Sequence, residues 1–134
     1  MRNIKFRAWD RFAKEMVFAK TIDFGTNGAE CIVDSDGING DVGGEWDLEQ
    51  YTGLHDKNGK EIYEGDIVKL HVVILSPDDK VGYIEYRPEF GYCINFGGKV
   101  ARQEYWAAND KHTIEVIGNI HENKELLDGG NNQD

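Results

Sequence analysis

The side chains best suited to chemistry in this 134-residue chain lie in an acidic, glycine-rich segment, residues 34–45. Asp34 and Asp36 match positions one and three of a calcium-binding loop, and Glu45 matches position twelve. The match fails where Ile38 takes a ligand position and where the required glycine is replaced. Since no flanking helices are indicated, we interpret the segment as a solvated acidic loop, with cation binding as the alternative.

Other reactive combinations are scarce in the sequence. The histidines are His55, His71, His112 and His121. None has an i, i+4 partner or a cysteine at ligand spacing, which disfavours a zinc site. Ser35 and Ser76 lie in turn-like stretches without a G-x-S-x-G motif, and no glycine-rich nucleotide-binding motif occurs. We therefore predict no catalytic, cofactor-binding or metal-binding residues, and no enzymatic activity.

The net charge of −10 is unevenly distributed. Residues 1–20 carry a net +4, whereas residues 21–49 carry −8 and contain no lysine or arginine. Overall acidity disfavours tight sequence-independent DNA binding, because the chain and the phosphate backbone repel each other. We interpret the split as a soluble surface with complementary pairing of the two segments, within or between chains.

The cysteines and the apolar runs indicate the compartment. Cys31 and Cys93 stand far apart without a C-x-x-C motif, and the N-terminus has no apolar signal segment. No apolar run approaches the ~20 residues that a bilayer-spanning helix needs. We therefore expect a cytoplasmic protein with two reduced, buried thiols and no membrane partner.

Hydrophobic periodicity predicts strands in the first third of the chain. The alternation that begins at Ile4 and the apolar return at residues 16–18 predict a hairpin over residues 1–20. Six glycines interrupt residues 21–45, where we expect loop with one short strand around Cys31.

Turn signals divide the remainder into short elements. The Asp-Lys-Asn-Gly sequence at 56–59 predicts a type I′ hairpin turn, because Asn-Gly tolerates positive φ at both central positions. Glu-Gly-Asp at 64–66 predicts a second corner. We predict strands over residues 67–75, 81–86, 92–96 and 113–120, a helical turn within 99–109, and a short C-terminal helix over 122–127. Four or five short strands joined by tight turns favour a small barrel.

Five aromatic residues in the second half form a further candidate. They are Tyr83, Tyr86, Phe90, Tyr92 and Phe96. On a small barrel they could make a base-stacking platform, but the surrounding residues 80–106 carry a net charge of only +1. Because such platforms sit in basic grooves, core packing or a subunit interface is the favoured interpretation.

Three sequence blocks occur in order along residues 4–127. The first is Ile-Lys-Phe-Arg-Ala-Trp-Asp at 4–10, followed by Met16. The second, at 50–68, includes Tyr-Thr-Gly-Leu, Asp-Lys-Asn-Gly and Ile-Tyr-Glu-Gly-Asp-Ile-Val. The third, Glu-Val-Ile-Gly-Asn-Ile-His-Glu-Asn at 115–123, ends in Glu-Leu-Leu. Together these blocks resemble the YopX protein family of phages and prophages.

The resemblance implies a small, mainly β, phage-encoded cytoplasmic protein with an SH3-like barrel toward its C-terminal side. It implies no established activity and supplies no catalytic or ligand residues. The predicted organisation has three parts: an N-terminal hairpin with an acidic glycine-rich loop (1–49), an SH3-like barrel with a C-terminal helical turn (50–127), and a disordered tail (128–134).

The expected function is that of a non-enzymatic phage or prophage accessory protein that acts through protein–protein contacts as a homo-oligomer. The missing catalytic constellation, the aromatic strands and the charge split motivate this expectation. Its partners are then a second copy and a host or phage protein. The alternative is a nucleic-acid-associated module, or an acidic DNA mimic that occupies a host DNA-binding protein.

Overall fold

The computed structural model describes residues 3–72, 79–106 and 112–127, although not the side chains of Val72, Glu104, Tyr105 and His112. In this part of the chain the fold is mainly β, as predicted, with two antiparallel sheets and one short helix. The strands are β1 Phe6–Asp10, β2 Glu15–Gly25, β3 Gly28–Asp34, β4 Asn39–Asp41, β5 Trp46–His55, β6 Glu61–Tyr63, β7 Asp66–Val72, β8 Lys80–Arg87, β9 Gly91–Asn95, β10 Val100–Ala101 and β11 His112–Asn119. The helix, α1, is Gln103–Trp106. The chain forms two compact units, residues 1–51 and 52–134.

The first unit is built on a sheet in which β4, β3, β2, β1 and β5 are successive neighbours. β1 and β2 pair antiparallel from Arg7 opposite Phe18 to Asp10 opposite Glu15, which confirms the predicted N-terminal hairpin. On its other side β1 pairs antiparallel with β5. β5 continues past residue 51, where β6 pairs with it.

Residues 21–45 contain more strand than their glycine content predicted. β2 continues to Gly25, and β3 and β4 pair in succession beside it. Gly28, Gly37 and Gly43 have positive φ and lie at the ends of strands or in the turns between them. Glycine adopts such φ values without a steric penalty, so these residues turn the chain between short strands. The expectation that this segment is mostly loop is therefore wrong.

One face of the first sheet holds the core of the first unit. Ala8, Ile32 and Trp46 are buried there, and partly buried aliphatic side chains surround them. Gly40 pairs with Ile32 and lies against the Trp46 ring, so that a Cβ at Gly40 would collide with the indole. A glycine at this position lets β4 approach a large aromatic core residue.

The second unit contains the second sheet, whose strand order is β10-β9-β8-β7-β11. Four consecutive strands pair as antiparallel neighbours, and β11 then returns to pair with β7. One cluster of buried residues in this unit consists of Ile62, Val68, Leu70, Ile84, Ile94, Trp106 and Ile114. No pairing among the described strands joins β10 to β11, so the predicted SH3-like barrel is not confirmed.

The other elements predicted for the second half correspond to observed ones. β7, β8, β9 and β11 occupy the predicted strand regions, and α1 lies within the predicted helical turn. Hydrogen bonds from Leu126 N–H to Asn123 O and from Leu127 N–H to Lys124 O form a turn within the predicted C-terminal helix. The predicted end of the long strand at 73–75 and the tail at 128–134 lie outside the described residues.

The turn at residues 56–59 is present, but its type differs from the prediction. Gly59 N–H donates to Asp56 O at 3.0 Å, and Gly59 has a φ of +83°. A type I′ turn with Asn58 and Gly59 at its centre requires positive φ at both, but Asn58 does not have it, and neither does Lys57. The arrangement is a type I turn followed by a left-handed glycine. The Asp56 carboxylate favours it, because Oδ1 accepts the N–H groups of Asn58 and Lys60, each at 2.9 Å.

Candidate interaction surface

The acidic segment 34–45 uses its carboxylates to shape its own backbone. Asp34 is buried, and its Oδ1 accepts the N–H groups of Asp36 and Ile38, each at 2.9 Å. Glu45 Oε1 accepts a backbone N–H of the same segment at 3.4 Å. In the part of the chain that the structure describes, no three His, Cys, Asp or Glu side chains are grouped so that they could hold a metal ion.

The candidate thiols and imidazoles are dispersed over the two units. Cys93 is buried and Cys31 is half-buried, and neither forms a disulfide. His71 on β7 lies with its Nδ1 2.6 Å from Asp79 Oδ1. Ser35 is exposed in the turn that follows β3. These positions give no arrangement of a nucleophile beside a base.

The remaining candidates from the sequence are located as follows. His55 ends β5 and His121 follows β11, whereas the side chain of His112 and the whole of Ser76 lie outside the described residues. No helix within residues 3–72, 79–106 and 112–127 is long and apolar enough to cross a membrane.

Basic side chains of the N-terminal hairpin pair with acidic side chains of the same unit. Arg7 on β1 lies directly opposite Glu49 on β5, and both are buried, with 2.9 Å between Nε and Oε1. In the hairpin turn, Arg11 Nη2 lies 2.6 Å from Asp47 Oδ1, and its guanidinium donates to two loop carbonyl oxygens at 3.0 and 3.2 Å. The hydrogen bond with Asp47 raises the pKa of Arg11. The opposite charges of the two segments are therefore matched in part within one chain.

The five aromatic residues of the second half are divided between the two faces of their sheet. Tyr86 lies opposite Tyr92, and Tyr83 lies opposite Asn95. Because successive side chains of a strand point to opposite faces, Tyr83 and Tyr86 lie on different faces. Tyr92 and Phe96 pack partly against the core of the unit. The five rings do not form one stacking platform.

A smaller aromatic group lies at the turn end of the β8–β9 hairpin. Tyr86 is 54% exposed and contacts Tyr92 edge to face, with 5.3 Å between the ring centroids. Phe90 lies in the turn, and the guanidinium carbon of Arg102 lies 4.5 Å from the centroid of its ring. We call Tyr86, Phe90, Tyr92 and Arg102 the hairpin-end surface.

Local sequence explains how the turn presents Phe90. Phe90 N–H donates to Arg87 O at 3.0 Å, and Pro88 occupies the position of the turn that proline favours. Gly91 follows with a φ of +78°, which returns the chain into β9. The ring of Phe90 is therefore held on a short, ordered turn.

The opposite face of the same hairpin carries polar side chains that bind one another. Glu85 Oε2 accepts from Arg87 Nε at 2.8 Å and from Asn95 Nδ2 at 3.1 Å. Burial, with a smaller contribution from Glu85, raises the pKa of Tyr83, so its phenol is protonated at neutral pH. The hydrogen bond with Glu85 raises the pKa of Arg87. The contact between Asn95 and Glu85 joins β9 to β8 on the face opposite the hairpin-end surface.

Exposed phenylalanines are a feature of the first unit. Phe12, Phe18 and Phe24 are 78%, 58% and 67% exposed. Phe12 lies at the tip of the β1–β2 hairpin, where Asp10 Oδ1 accepts its N–H at 2.9 Å. Phe18 lies on β2 directly opposite Arg7. No motif in the sequence marks these residues as functional, although a phenylalanine within the polar turn at residues 10–15 is a signal of exposure.

A match to a known family covers nearly the whole chain. The family model described as YopX protein matches residues 5–128. The chain belongs to the YopX protein family. The three ordered blocks had predicted this membership, which is therefore confirmed.

Two solved structures resemble this YopX family member over almost their full length. Protein EF1440 from Enterococcus faecalis is 32% identical with a TM-score of 0.67, and the match covers 95% of this chain and 99% of that one. Protein yopX from Bacillus subtilis is 20% identical with a TM-score of 0.64, covering 95% and 97%, which is a likeness of fold. A comparison with curated proteins finds no match. Neither the family description nor the titles of these two structures name an enzyme.

Proposed function

We propose that this YopX family member is a non-enzymatic phage or prophage accessory protein that binds other proteins, including a second copy of itself. The observation that supports the proposal most directly is the exposure of Phe12, Phe18 and Phe24. All three belong to β2 or to the turn that precedes it, and large exposed apolar side chains are typical of interaction surfaces. Aromatic side chains are also enriched among the residues that dominate binding energy.

The local structure around these rings favours binding with a small entropic cost. Asp10 orders the hairpin tip beneath Phe12 through its carboxylate, and Lys14 N–H closes the turn by donating to Asp10 O at 2.9 Å. Phe18 belongs to a strand with a fixed register against β1. Side chains held in place before binding lose less freedom in the complex.

The second unit is, in our proposal, a small SH3-like barrel. A four-strand meander followed by a helical turn and a last strand that returns beside the first supports this assignment. The bacterial host cytoplasm is the proposed place of action, since a protein whose two cysteines, Cys31 and Cys93, form no disulfide suits a reducing compartment.

The contacts of the basic hairpin argue against nucleic acid as the partner. Arg7 and Arg11 are engaged by Glu49 and Asp47, so these guanidinium groups are not displayed for phosphate. The aromatic rings of the second half are divided between two faces, which removes the extended stacking platform. Protein contacts therefore account better for the exposed side chains.

A capture experiment followed by binding measurements with purified components tests the proposal. The wild-type chain is used to isolate a phage or host protein, and the affinity of that protein is then measured for Phe12→Ser, Phe18→Ser and Phe24→Ser. We expect at least one variant to weaken binding about tenfold, equivalent to about 1.4 kcal/mol. Lys20→Ser, an exposed change on the same strand as Phe18, is the matched control and should alter affinity less than about twofold.

The proposal also specifies results that would contradict it. If all three phenylalanine variants bound the partner with the affinity of the wild-type chain, these rings would not be the binding surface. A bound small molecule that the chain converts to a product would show that the protein is an enzyme.

A further inference from the structure

At the hairpin-end surface, exposed side chains of opposite charge belong to the residue before Phe90 and to the residue that stacks on its ring. Glu89, exposed in the turn, immediately precedes Phe90, and exposed Arg102 lies over the Phe90 ring at 4.5 Å. Among the described side chains no carboxylate forms an ion pair with Arg102. In contrast, Arg87 on the same hairpin pairs with Glu85 at 2.8 Å, and the charge of Glu89 makes a smaller contribution to the raised pKa of Arg87. Arg102 and Glu89 are exposed charges of opposite sign at the aromatic end.

A surface with this composition is complementary to itself. In a two-fold interface the same patch is used by both copies, so a cation on one side must meet an anion of the same patch on the other. Arg102 and Glu89 satisfy that requirement, and Tyr86 and Phe90 supply the apolar area of the patch. We propose that the hairpin-end surface binds the same surface of a second copy, forming a two-fold dimer through the second unit.

The chemistry of the two charged residues supports this contact. A guanidinium that stacks on an aromatic ring is weakly hydrated and keeps its planar donors at the edge, so it is desolvated at low cost. Glu89 of the second copy then accepts a charge-assisted hydrogen bond from Arg102. The two-fold axis repeats the pair, so each dimer contains the contact twice.

The same surface fits other occupants less well. A single-stranded nucleic acid requires several displayed basic groups along a row of rings, and residues 80–106 carry a net charge of only +1. A proline-rich peptide requires an aromatic groove but has no anion for Arg102. The inference rests on the self-association part of the proposed function and names the surface that carries it.

Charge reversal and recombination of variants test the inference. The dimer dissociation constant is measured by sedimentation velocity over a range of concentrations for the full-length chain. We expect Arg102→Glu and Glu89→Lys each to weaken the dimer at least tenfold, because each creates two repulsive contacts. Tyr86→Ala should weaken it as well. Lys99→Glu, an exposed reversal in the β9–β10 turn, is the control and should leave the dimer unchanged.

An equimolar mixture of Arg102→Glu and Glu89→Lys chains should dimerise again. In the mixed dimer the introduced glutamate faces the introduced lysine, and the native Arg102 faces the native Glu89, so both contacts become attractive. As a control for folding, the circular dichroism spectrum and the urea midpoint of each variant are measured and should match those of the wild-type chain. This recovery is specific to a two-fold contact between these two positions.

Three results would overturn the inference. A dimer that persists in both variants uses another surface, and the proposed function then survives while this inference fails. Loss of the dimer in both variants without recovery on mixing excludes the two-fold pairing. A wild-type chain that stays monomeric, or that binds a proline-rich peptide or single-stranded DNA through Arg102 instead, excludes a second copy as the occupant. In that case the phenylalanine variants still test the binding of other proteins separately.

Discussion

Asp56 Oδ2 accepts the backbone N–H of Val116 at 2.9 Å, although the two residues are 60 positions apart in the sequence. Val116 lies at a bulge in β11, where the register against β7 shifts. The other oxygen of the same carboxylate accepts the N–H groups of Asn58 and Lys60. One buried side chain therefore orders the turn after β5 and fastens it to the last strand of the second sheet.

Removing this carboxylate should destabilise the fold. Asp56→Ala leaves three backbone N–H groups without their acceptor, which predicts a loss of about 3 kcal/mol in the free energy of unfolding. Asp56→Asn keeps one acceptor oxygen and should lose about half as much. Urea denaturation followed by circular dichroism measures both. Asp36→Ala, at an exposed position, is the control and should change stability by less than about 0.5 kcal/mol. An Ala variant as stable as wild type would show that the contact with Val116 is dispensable.

The same side chain should give stability a defined dependence on pH. Burial by itself raises the pKa of Asp56, but the N–H donors of Val116, Lys60 and Asn58 outweigh it and lower the pKa below its ordinary 3.8. The charged carboxylate thus stabilises the folded state fully above about pH 4, and this contribution is lost as the pH falls through the folded pKa. Unfolding free energies at pH 7 and near pH 3 should therefore differ less in Asp56→Asn than in wild type. Equal differences in the two proteins would contradict the assignment.

The sequence motif at 50–68 predicted the positions of the turns but not how they are made. Asn-Gly favoured a type I′ turn on local grounds, whereas the hydrogen bonds of Asp56 select a type I turn with Gly59 alone at positive φ. Asp56 Oδ2 accepts a hydrogen bond from the backbone of β11, 60 residues away in the sequence. A contact of that range depends on the whole fold and leaves no periodic signal in a single sequence.

The hairpin-end surface could be predicted in part. Tyr86, Phe90 and Tyr92 were recognisable as an aromatic group suited to an interface. Tyr83 lies on the other face from Tyr86 because the two are three residues apart on β8, which the sequence spacing already gives. The position of Tyr92 opposite Tyr86 depends on the register of β8 against β9, which is set by the turn at residues 87–91. Arg102 joins Phe90 only because β10 pairs back onto β9, so its role could not be foreseen from local spacing.

The buried ion pair of the first unit should be sensitive to the loss of one partner. Glu49→Ala removes the carboxylate that accepts from the buried Arg7 Nε, and we expect a loss of about 3–5 kcal/mol in the free energy of unfolding. The double variant Arg7→Met with Glu49→Leu removes both charges and should recover most of that loss. Asp47→Ala breaks the exposed pair with Arg11 and should cost less than about 1 kcal/mol. A double variant no more stable than Glu49→Ala would show that the pair itself is required.

The close approach of Gly40 to the Trp46 ring leaves no room for a side chain at position 40. A Cβ at position 40 would overlap the indole ring, so Gly40→Ala must displace β4 or the buried tryptophan, which predicts a loss of about 2–3 kcal/mol. Gly44→Ala is a matched control, because its Cβ would be 3.7 Å from Asp41 Cβ, an ordinary contact, and its φ is not positive. There the reduced freedom of the unfolded chain should leave stability unchanged or raise it by up to about 1 kcal/mol. Urea denaturation measures the two changes, and near-ultraviolet circular dichroism reports the environment of the tryptophan. If Gly40→Ala were as stable as the wild-type chain, close packing of β4 against Trp46 would not be a requirement of this fold.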